Sequence, residues 1–266
     1  MNGKRGIPAK MRIDKWLAHM GVATRSELRI MAKRGVITVN GKAEKDTGRQ
    51  VVPGIDQLMV DGQEVRFEPF LYIMMNKPKG VISATEDRRE RTVLDLVPEA
   101  LRYTELFPVG RLDKDTTGLL LLTDDGEMAH RLLSPKRHVA KTYHATIDGN
   151  VTDEIVQGFA TGVTLDDGYL TLPGSLRVMK QMGDYADTEV IIHEGKFHQI
   201  KRMFQAFGLN VVELRRVKMG PLDLDESIPE GSLRKLTPNE IVSLEAVAFK
   251  QLGGDEHETA ISTDRT

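Results

Sequence analysis

The sequence contains no cysteine among its 266 residues. This absence excludes disulfide bridges and cysteine-based zinc sites, and it suits the reducing cytoplasm, where we expect the protein. No apolar run approaches the about 18 residues that a membrane-spanning helix needs, so we expect no membrane segment. The basic residues near the N-terminus are not followed by an apolar core, and we therefore expect no signal peptide.

The signatures of several enzyme classes are also missing. The chain has no G-x-x-x-x-G-K-[ST] phosphate loop, no G-x-G-x-x-G dinucleotide motif and no H-E-x-x-H zinc motif. The best metal-ligand spacing, between His138 and His144, has no evident acidic or histidine partner. We therefore expect no metal site and no nucleotide or redox cofactor.

Charge is divided unevenly along the chain, although the net charge is only −2. Residues 1–67 contain 13 basic and 7 acidic residues, whereas residues 68–245 contain 22 and 28, so the two segments carry +6 and −6. This division favours a small basic module that binds a polyanion, joined to a larger acidic domain. The alternative is that the surface charge is random.

The basic segment is predicted to form an arm and a compact αβ domain. We expect residues 1–10 to be a disordered basic arm and residues 11–67 to be the domain. Thr24 to Glu27 form a capping box that begins a second helix, and Asn40-Gly41 is typical of a hairpin turn. The first helix is indicated by apolar residues at helical spacing, namely Ile13, Trp16, Leu17 and Met20.

The second helix carries basic residues at a spacing of four, so that Arg25, Arg29 and Lys33 share one face. Such a stripe can be merely a solvated face, but its position beside the basic arm favours contact with phosphates. The predicted RNA-binding residues are Arg12, Lys15, Arg25, Arg29, Lys33, Arg34 and, from a later helix, Arg202.

Residues 70–245 are predicted to form a larger domain of the α+β class, with a mixed, mostly antiparallel sheet. The run Leu119–Leu122 is typical of a strand that is buried on both faces. Residues 246–266 are expected to form a disordered tail. A helix is predicted over residues 196–208, with Phe197, Ile200, Phe204 and Phe207 facing inward and His198, Lys201, Arg202 and Gln205 on the polar face.

Three acidic groups are candidates for catalysis. The pair at 124–125 precedes a helix pattern and is best explained as a helix cap, and Asp-Asp-Gly at 166–168 is best explained as a turn. Asp113 and Asp115 precede no helix, so capping does not easily explain them. Their loop leads directly into the buried leucine strand, which would aim a reactive carboxylate, but hydrogen bonding within the loop is the structural alternative.

Two further side chains are candidates for the same site. Tyr143 lies in KTYHATID, a predicted strand whose alternation places Tyr143 and Ala145 on one face. The alternative is a core tyrosine whose hydroxyl reaches a hydrogen-bond partner. Lys201 would keep an adjacent carboxylate ionised and would give Asp113 a partner.

Four motifs, in this order, resemble those of the pseudouridine synthases: NKPKGVISA, GRLDKDTTGLLLLTDDG, KTY and EGKFHQIKRMF. The stretch MRIDKWLAHMGVATRSELRIMAKRGVITVNGK resembles the S4-type RNA-binding domain. The likeness covers residue 11 to about residue 245. Within the superfamily, the chain is similar to the RsuA-type family of ribosomal RNA pseudouridine synthases.

The resemblance implies a role for each matching residue. The family's catalytic aspartate falls on Asp113, its stacking tyrosine on Tyr143 and the basic partner of the aspartate on Lys201. Arg111 matches the arginine that is associated with filling the vacated base stack. The implied reaction detaches a flipped uracil and reattaches it through C5, by a covalent intermediate on Asp113 or by a glycal, which is favoured for the family. It consumes no cofactor.

The resemblance also implies the partner, which is ribosomal RNA. GVTLDDGYLTLPG and HQIKRMF favour 16S rRNA in a partly assembled small subunit, and the sister enzymes that act on 23S rRNA are the alternative. Nothing in the sequence demands a dimer, so we expect a monomer. Two other classes remain open: a non-catalytic RNA-binding assembly factor, and a hydrolase that pairs Asp113 with Asp115 or Asp125.

Overall fold

A computed structural model of the protein describes residues 5–250. Residues 1–4 of the predicted arm and residues 251–266 of the predicted tail therefore lie outside the described residues. The core side chains fall into separate groups, one drawn only from residues 11–60 and two drawn only from residues 71–248. We describe the two parts in turn as the N-terminal and the C-terminal domain.

The N-terminal domain packs two helices against short strands. Trp16, Leu17 and Leu28 lie fully or almost fully buried in its core. Its larger sheet has the strand order β3-β2-β5-β6, and β1 pairs with β4. In chain order the elements are β1 (Met11–Arg12), α1 (Ile13–His19), α2 (Arg25–Lys33), β2 (Ile37–Val39), β3 (Lys42–Ala43), β4 (Gln50–Val51), β5 (Leu58–Val60) and β6 (Gln63–Glu64).

Local sequence signals explain how these elements begin and end. The backbone N–H of Glu27 donates to the Thr24 hydroxyl, and the Glu27 carboxylate accepts from the Thr24 N–H at 2.8 Å, so the predicted capping box is confirmed. Asn40 and Gly41 both have positive φ, as the two-residue turn between β2 and β3 requires. The predicted hairpin is therefore also confirmed.

The C-terminal domain is built on one large sheet. Short 3₁₀ helices cover Val93–Leu96, Glu99–Leu101 and Pro135–Arg137. The other elements, in chain order, are β7 (Tyr72–Lys77), β8 (Phe107–Pro108), β9 (Thr117–Thr123), α3 (Gly126–Leu133), β10 (Lys141–Asp148), α4 (Asp153–Thr161), β11 (Ser175–Met182), β12 (Tyr185–Ile192), α5 (Gln199–Gln205), β13 (Asn210–Met219), β14 (Leu222–Asp223), β15 (Leu233–Lys235) and α6 (Pro238–Ala248).

The sheet order is β11-β12-β10-β13-β9-β7-β15, with β14 added to β13 and β8 to β9. Strands β13 and β9 run parallel, and the other strand pairs of the described sheet are antiparallel. The fold is therefore α+β with a mixed, mostly antiparallel sheet, as predicted. All seven residues of β9 are buried, which confirms that the leucine run is covered on both faces.

Helices cover both faces of this sheet. The front face, which carries Leu120, Tyr143 and Val190, packs against α4, α5 and the first two 3₁₀ helices. The back face, which carries Leu119 and Leu121, packs against α3 and α6. Successive side chains along these strands therefore point alternately into two apolar layers.

Three predictions need correction. Residues 5–10 are not a free arm, because the Arg5 guanidinium donates to the buried Asp125 carboxylate and to the Tyr72 hydroxyl. A carboxylate that is only 1% exposed needs such a charged partner. The helix expected from residue 196 begins at Gln199, and Phe197 is 73% exposed rather than inward-facing. Helix α6 also runs to Ala248, three residues past the predicted boundary.

Candidate active site

Three separate segments of the chain meet on the front face of the sheet. They are the loop that precedes β9, strand β10, and the loop that leads into α5. Leu112, which precedes Asp113, and Ile200, which precedes Lys201, belong to the same hydrophobic cluster as Tyr143. Packing of these apolar neighbours therefore brings together residues that lie far apart in the sequence.

A buried lysine holds the loop that carries Asp113. The Lys77 ammonium, at the end of β7, donates to the carbonyl oxygens of Pro78, Asp113 and Thr116 at 2.9 to 3.0 Å. Burial lowers the pKa of Lys77 to about 8, against the opposing effect of the carboxylates of Asp113 and Asp115. Sequence reasoning missed this residue, although it is the one charged residue at the end of a strand that is otherwise mostly apolar.

The Asp113 carboxylate lies between two basic side chains. Its oxygens are 3.5 Å from Lys201 Nζ and 3.6 Å from His198 Nε2, and its side chain is 28% exposed. Lys201 Nζ is closer to Asp115, at 2.6 Å. The structure therefore places Lys201 beside Asp113, as predicted, but shares it between two carboxylates.

Asp115 differs from Asp113 in its exposure and in its pairing. Partial burial raises the pKa of Asp115, but the hydrogen bond and charge of Lys201 outweigh this, so that the pKa lies below its ordinary value. The Asp115 side chain is 69% exposed. The aspartate that faces the covered side of the loop is thus Asp113, and Asp115 orients Lys201.

His198 also belongs to the site, although the sequence alone indicates no role for it. The sequence predicts only that it lies on the polar face of a helix. In the structure it precedes α5 with a φ of 49°, in the left-handed region, and its ring faces Asp113. The departure from helical geometry at this residue turns the imidazole toward the carboxylate.

Tyr143 lies on the front face of β10 and is 7% exposed. The hydroxyls of Tyr72 and Tyr169 donate to carboxylates, whereas that of Tyr143 makes no hydrogen bond within residues 5–250. A purely structural core tyrosine would find such a partner. The ring is therefore held by packing, while its hydroxyl is left free for a ligand or water.

Two more cations are buried beside Tyr143. Arg216 is paired with Tyr143 across β13 and β10, and its Nε donates to the carbonyl oxygen of Leu119 at 2.8 Å. Its Nη2 is buried and has no hydrogen-bond partner among the described residues. Burial, together with the charge of Arg216, lowers the pKa of Lys141 to about 8. Two buried cations thus lie on or beside the strand that carries Tyr143, and Glu194 partly offsets the charge of Lys141.

The remaining acidic candidates have structural roles, as predicted. Asp125 accepts from the Met128 N–H as the cap of α3, and it is also bound by Arg5. Asp167 accepts from the Tyr169 N–H within a turn, where Gly168 has positive φ. Asp125 is therefore not available to pair with Asp113 as in a two-carboxylate hydrolase.

The predicted RNA-binding residues divide into two groups. Arg12 forms a two-point ion pair with the buried Asp14, and Arg202 is paired with the carboxylates of Asp166 and Asp167. These two guanidinium groups are already committed to carboxylates. Within residues 5–250, five others are exposed and form no ion pair, namely Lys15, Arg25, Arg29, Lys33 and Arg34. Arg111, beside the site, is also exposed and unpaired there.

A large cleft outside this site is acidic and does not suit a polyanion. This cleft of about 1050 Å³ between the two domains is lined by several acidic side chains, including Glu86, Asp95 and Glu105. No group of three metal-ligating side chains occurs within residues 5–250. No helix in that range is long and apolar enough to cross a membrane.

Comparison with known proteins identifies the family to which the chain is similar. The model of the RNA pseudouridylate synthase family matches residues 71–206, and that of the S4 domain matches residues 11–54. A solved structure described as a pseudouridylate synthase aligns with a TM-score of 0.61 and 36% identity, over 88% of this chain and 99% of the other.

Curated relatives agree with these matches. The "Uncharacterized RNA pseudouridine synthase YtzG" of Bacillus subtilis is 44% identical, over 87% of this chain and 97% of its own. Ribosomal large subunit pseudouridine synthase B of the same species is 38% identical, over 89% and 96%. Ribosomal small subunit pseudouridine synthase A of Vibrio cholerae is 39% identical, over 88% and 99%. The chain therefore belongs to the RNA pseudouridine synthase family, with an S4 domain joined to the catalytic domain.

Proposed function

We propose that the protein isomerises one uridine of ribosomal RNA to pseudouridine, with Asp113 as the catalytic carboxylate. The observation that carries the proposal is the placement of Asp113 between Lys201 and His198, on a loop that Lys77 anchors from below. Relatives that are 38% and 39% identical are named for ribosomal RNA, which supports this class of substrate.

The reaction needs few chemical groups. The bond between uracil N1 and ribose C1′ breaks, a bond forms between C5 and C1′, the C5 proton leaves, and N1 gains a proton. Asp113 either attacks C1′ to form a covalent intermediate or removes the C2′ proton to give a glycal. Lys201 and His198, within 3.6 Å of the carboxylate, can hold it in position by hydrogen bonds in either route.

The base must leave its stack before this chemistry can begin. Tyr143 offers a planar surface whose contact with uracil tolerates rotation of the ring in its own plane. We propose that Arg111, which is exposed at the mouth of the site, fills the space that the base leaves in the RNA. The unpaired Nη2 of Arg216 is a further donor on the floor of the site.

We propose 16S rRNA in a partly assembled small subunit as the substrate of a monomeric cytoplasmic enzyme. The stretches GVTLDDGYLTLPG and HQIKRMF support this choice. The second candidate is 23S rRNA, because the large-subunit relative from Bacillus subtilis is about as similar as the small-subunit relatives. The five exposed and unpaired basic residues of the N-terminal domain support contact with phosphates in either case.

Release of tritium from C5-labelled uridine tests the proposal. The substrates are 16S and 23S transcripts, each naked or bound to early-assembling ribosomal proteins, and Asp113→Asn is the control. Release from 16S alone, abolished by Asp113→Asn, is the expected result. Release from 23S alone would retain the chemistry and change the target. Tight binding with no release from any substrate would favour the non-catalytic assembly factor.

A further inference from the structure

Phe197 is the most exposed aromatic side chain of the described site, at 73%. Its ring stacks on that of His198, with the centroids 3.8 Å apart and the planes inclined by 17°. His198 Nε2 in turn lies 3.6 Å from the Asp113 carboxylate. A flat aromatic pair is thus presented at the mouth of the site, one side chain away from the catalytic carboxylate.

The loop that presents this pair is held in place from below. Glu194 accepts from the Tyr169 hydroxyl at 2.7 Å and from the Leu172 N–H at 2.9 Å. Gln199 donates to Glu194 at 2.8 Å and accepts from the Lys196 N–H at 2.9 Å. Both Glu194 and Gln199 are buried. The loop is therefore a preorganised support for its two exposed rings.

The backbone at His198 adds to this argument. A φ of 49° is uncommon for a residue other than glycine, and such a strained backbone persists only where the surrounding structure imposes it. A regular helix beginning at residue 196 would have turned Phe197 toward the core, where its burial would stabilise the fold. The chain instead exposes this ring, so that one of its faces is available to a ligand.

We propose that the Phe197–His198 pair is a stacking platform for the base of a nucleotide that neighbours the flipped uridine. This inference rests on the proposed function, since it assigns a second contact to the same RNA. A single-stranded RNA places its next base within reach of the site, and every base has a planar face that can stack on Phe197. Lys201 lies 3.5 Å from Asp113, and Arg111, two residues before Asp113 in the chain, is exposed, so both cations suit the intervening phosphates.

Variants of Phe197 separate stacking from simple apolar contact. We expect Phe197→Ala and Phe197→Leu to lower kcat/KM for tritium release on the order of tenfold, and Phe197→Trp to retain it. The substrate is the shortest transcript that the wild-type enzyme modifies. Tyr185→Ala is the matched control, since Tyr185 is exposed but faces the opposite side of the sheet from Ala186 and Val190, and it should change nothing.

Abasic substrates identify the contact directly. Removing the base on the contacted side of the target should lower kcat/KM of the wild-type enzyme about as much as Phe197→Ala does. The same substrate should cost the Phe197→Ala variant nothing further. Equal losses for both enzymes at both flanking positions would overturn the proposal, as would a Phe197→Ala enzyme with full activity. A loss seen only with ribosomal proteins present would assign the ring to a protein contact instead.

Failure of the proposed function is distinguishable from failure of the platform. A wild-type enzyme that releases no tritium from any transcript would contradict the proposed function. Fluorescence then tests the stacking platform without turnover. Stacking on a base should quench the emission of Phe197→Trp when a single-stranded uridine oligonucleotide is added. Unchanged emission at saturating oligonucleotide would contradict the platform in either case.

Discussion

At the scale of single residues, the site depends on cations that are buried for different reasons. Lys77 is fully buried and saturates its ammonium group with backbone carbonyl oxygens of the Asp113 loop. Lys141 is also buried, but within residues 5–250 it donates only to the carbonyl oxygen of Val139, and the repelling charge of Arg216 outweighs the attraction of Glu194. Lys77 therefore supports the loop, whereas Lys141 has fewer hydrogen bonds to offset the burial of its charge.

Replacing each lysine by methionine should separate these roles. We expect Lys77→Met to lower the free energy of unfolding by about 2–4 kcal/mol at pH 7, because it leaves buried carbonyl groups without a donor, and to lower kcat. Lys141→Met should be close to neutral in stability, since it replaces a desolvated charge by an apolar chain. Urea denaturation measures both, and equal losses would contradict this distinction.

The contribution of Lys141 to the free energy of unfolding should also depend on pH. Its pKa in the folded protein is about 8, below the ordinary 10.5, so the folded state binds fewer protons than the unfolded state between these values. The wild-type protein should therefore gain on the order of 2 kcal/mol relative to Lys141→Met as the pH rises from 8 to 10.5. Below pH 8 the difference should stay constant. If the wild-type protein instead loses stability relative to Lys141→Met as the pH rises through this range, the assignment is refuted.

The two aspartates of the loop should differ in their effect on turnover. Asp113→Asn is expected to fold, to bind RNA and to abolish tritium release, whereas Asp115→Asn should retain turnover with a loss of roughly tenfold or less. The reason is that Asp115 is largely exposed and acts through Lys201, at 2.6 Å. Single-turnover kinetics on one transcript compare the variants, and the opposite order would move the catalytic role to Asp115.

At the scale of elements, the site depends on the close approach of β9 and β13. These strands run parallel, with Gly118 beside Arg216. Gly118 has a φ of 97°, and a Cβ atom there would collide with the carbonyl oxygen of Arg216. The same Cβ atom would also lie only 3.0 Å from the Cγ atom of Arg215. A glycine is therefore needed at this position for two separate steric reasons.

Alanine substitution at two glycines tests this steric requirement. We expect Gly118→Ala to destabilise the protein by about 3 kcal/mol or more, because its positive φ strains alanine and the Arg216 carbonyl must move away from the new Cβ atom. Gly126→Ala, at the start of α3, should stabilise it by about 0.5–1 kcal/mol, since open space surrounds that position and its φ is not positive. Thermal unfolding measures both. A tolerated Gly118→Ala would show that the strands can separate.

At the scale of the whole molecule, the two domains differ in the charge that they expose. The basic N-terminal domain exposes a stripe of unpaired cations on α2, while the acidic C-terminal domain exposes carboxylates in the cleft between the domains. Arg5, at the start of the chain, pairs with Asp125 of the C-terminal domain. The N-terminal domain is thus attached to its neighbour at both of its ends.

The α2 stripe should control the salt dependence of RNA binding. Neutralising Arg25, Arg29 and Lys33 to glutamine in the full chain should flatten the slope of log K against log salt by about 2, that is, about 0.7–0.9 for each lost phosphate contact. Equilibrium binding of one transcript at several salt concentrations measures this. Neutralising Lys136 and Lys180 of the C-terminal domain is the control. An unchanged slope in the α2 variant would place the RNA elsewhere.

Local patterns were sufficient to predict much of this protein. The capping box at Thr24, the turn at Asn40-Gly41, the buried leucine strand and the cap at Asp125 all follow from interactions within a few residues. The motif around Asp113 indicated the family for the same reason, because its residues are contiguous in the chain. The sequence by itself thus determined the fold class, the family and the identity of the candidate carboxylate.

Only the tertiary structure decided how these groups are partnered. Lys77 contacts the Asp113 loop across 36 residues, Lys201 contacts Asp115 across 86, and Arg5 contacts Asp125 across 120. The exposure of Phe197 likewise follows from hydrogen bonds of Glu194 and Gln199, not from the helical spacing of its neighbours. Hydrophobic periodicity reports which side of one element is buried, whereas the pairing of charges depends on which elements the packing brings together.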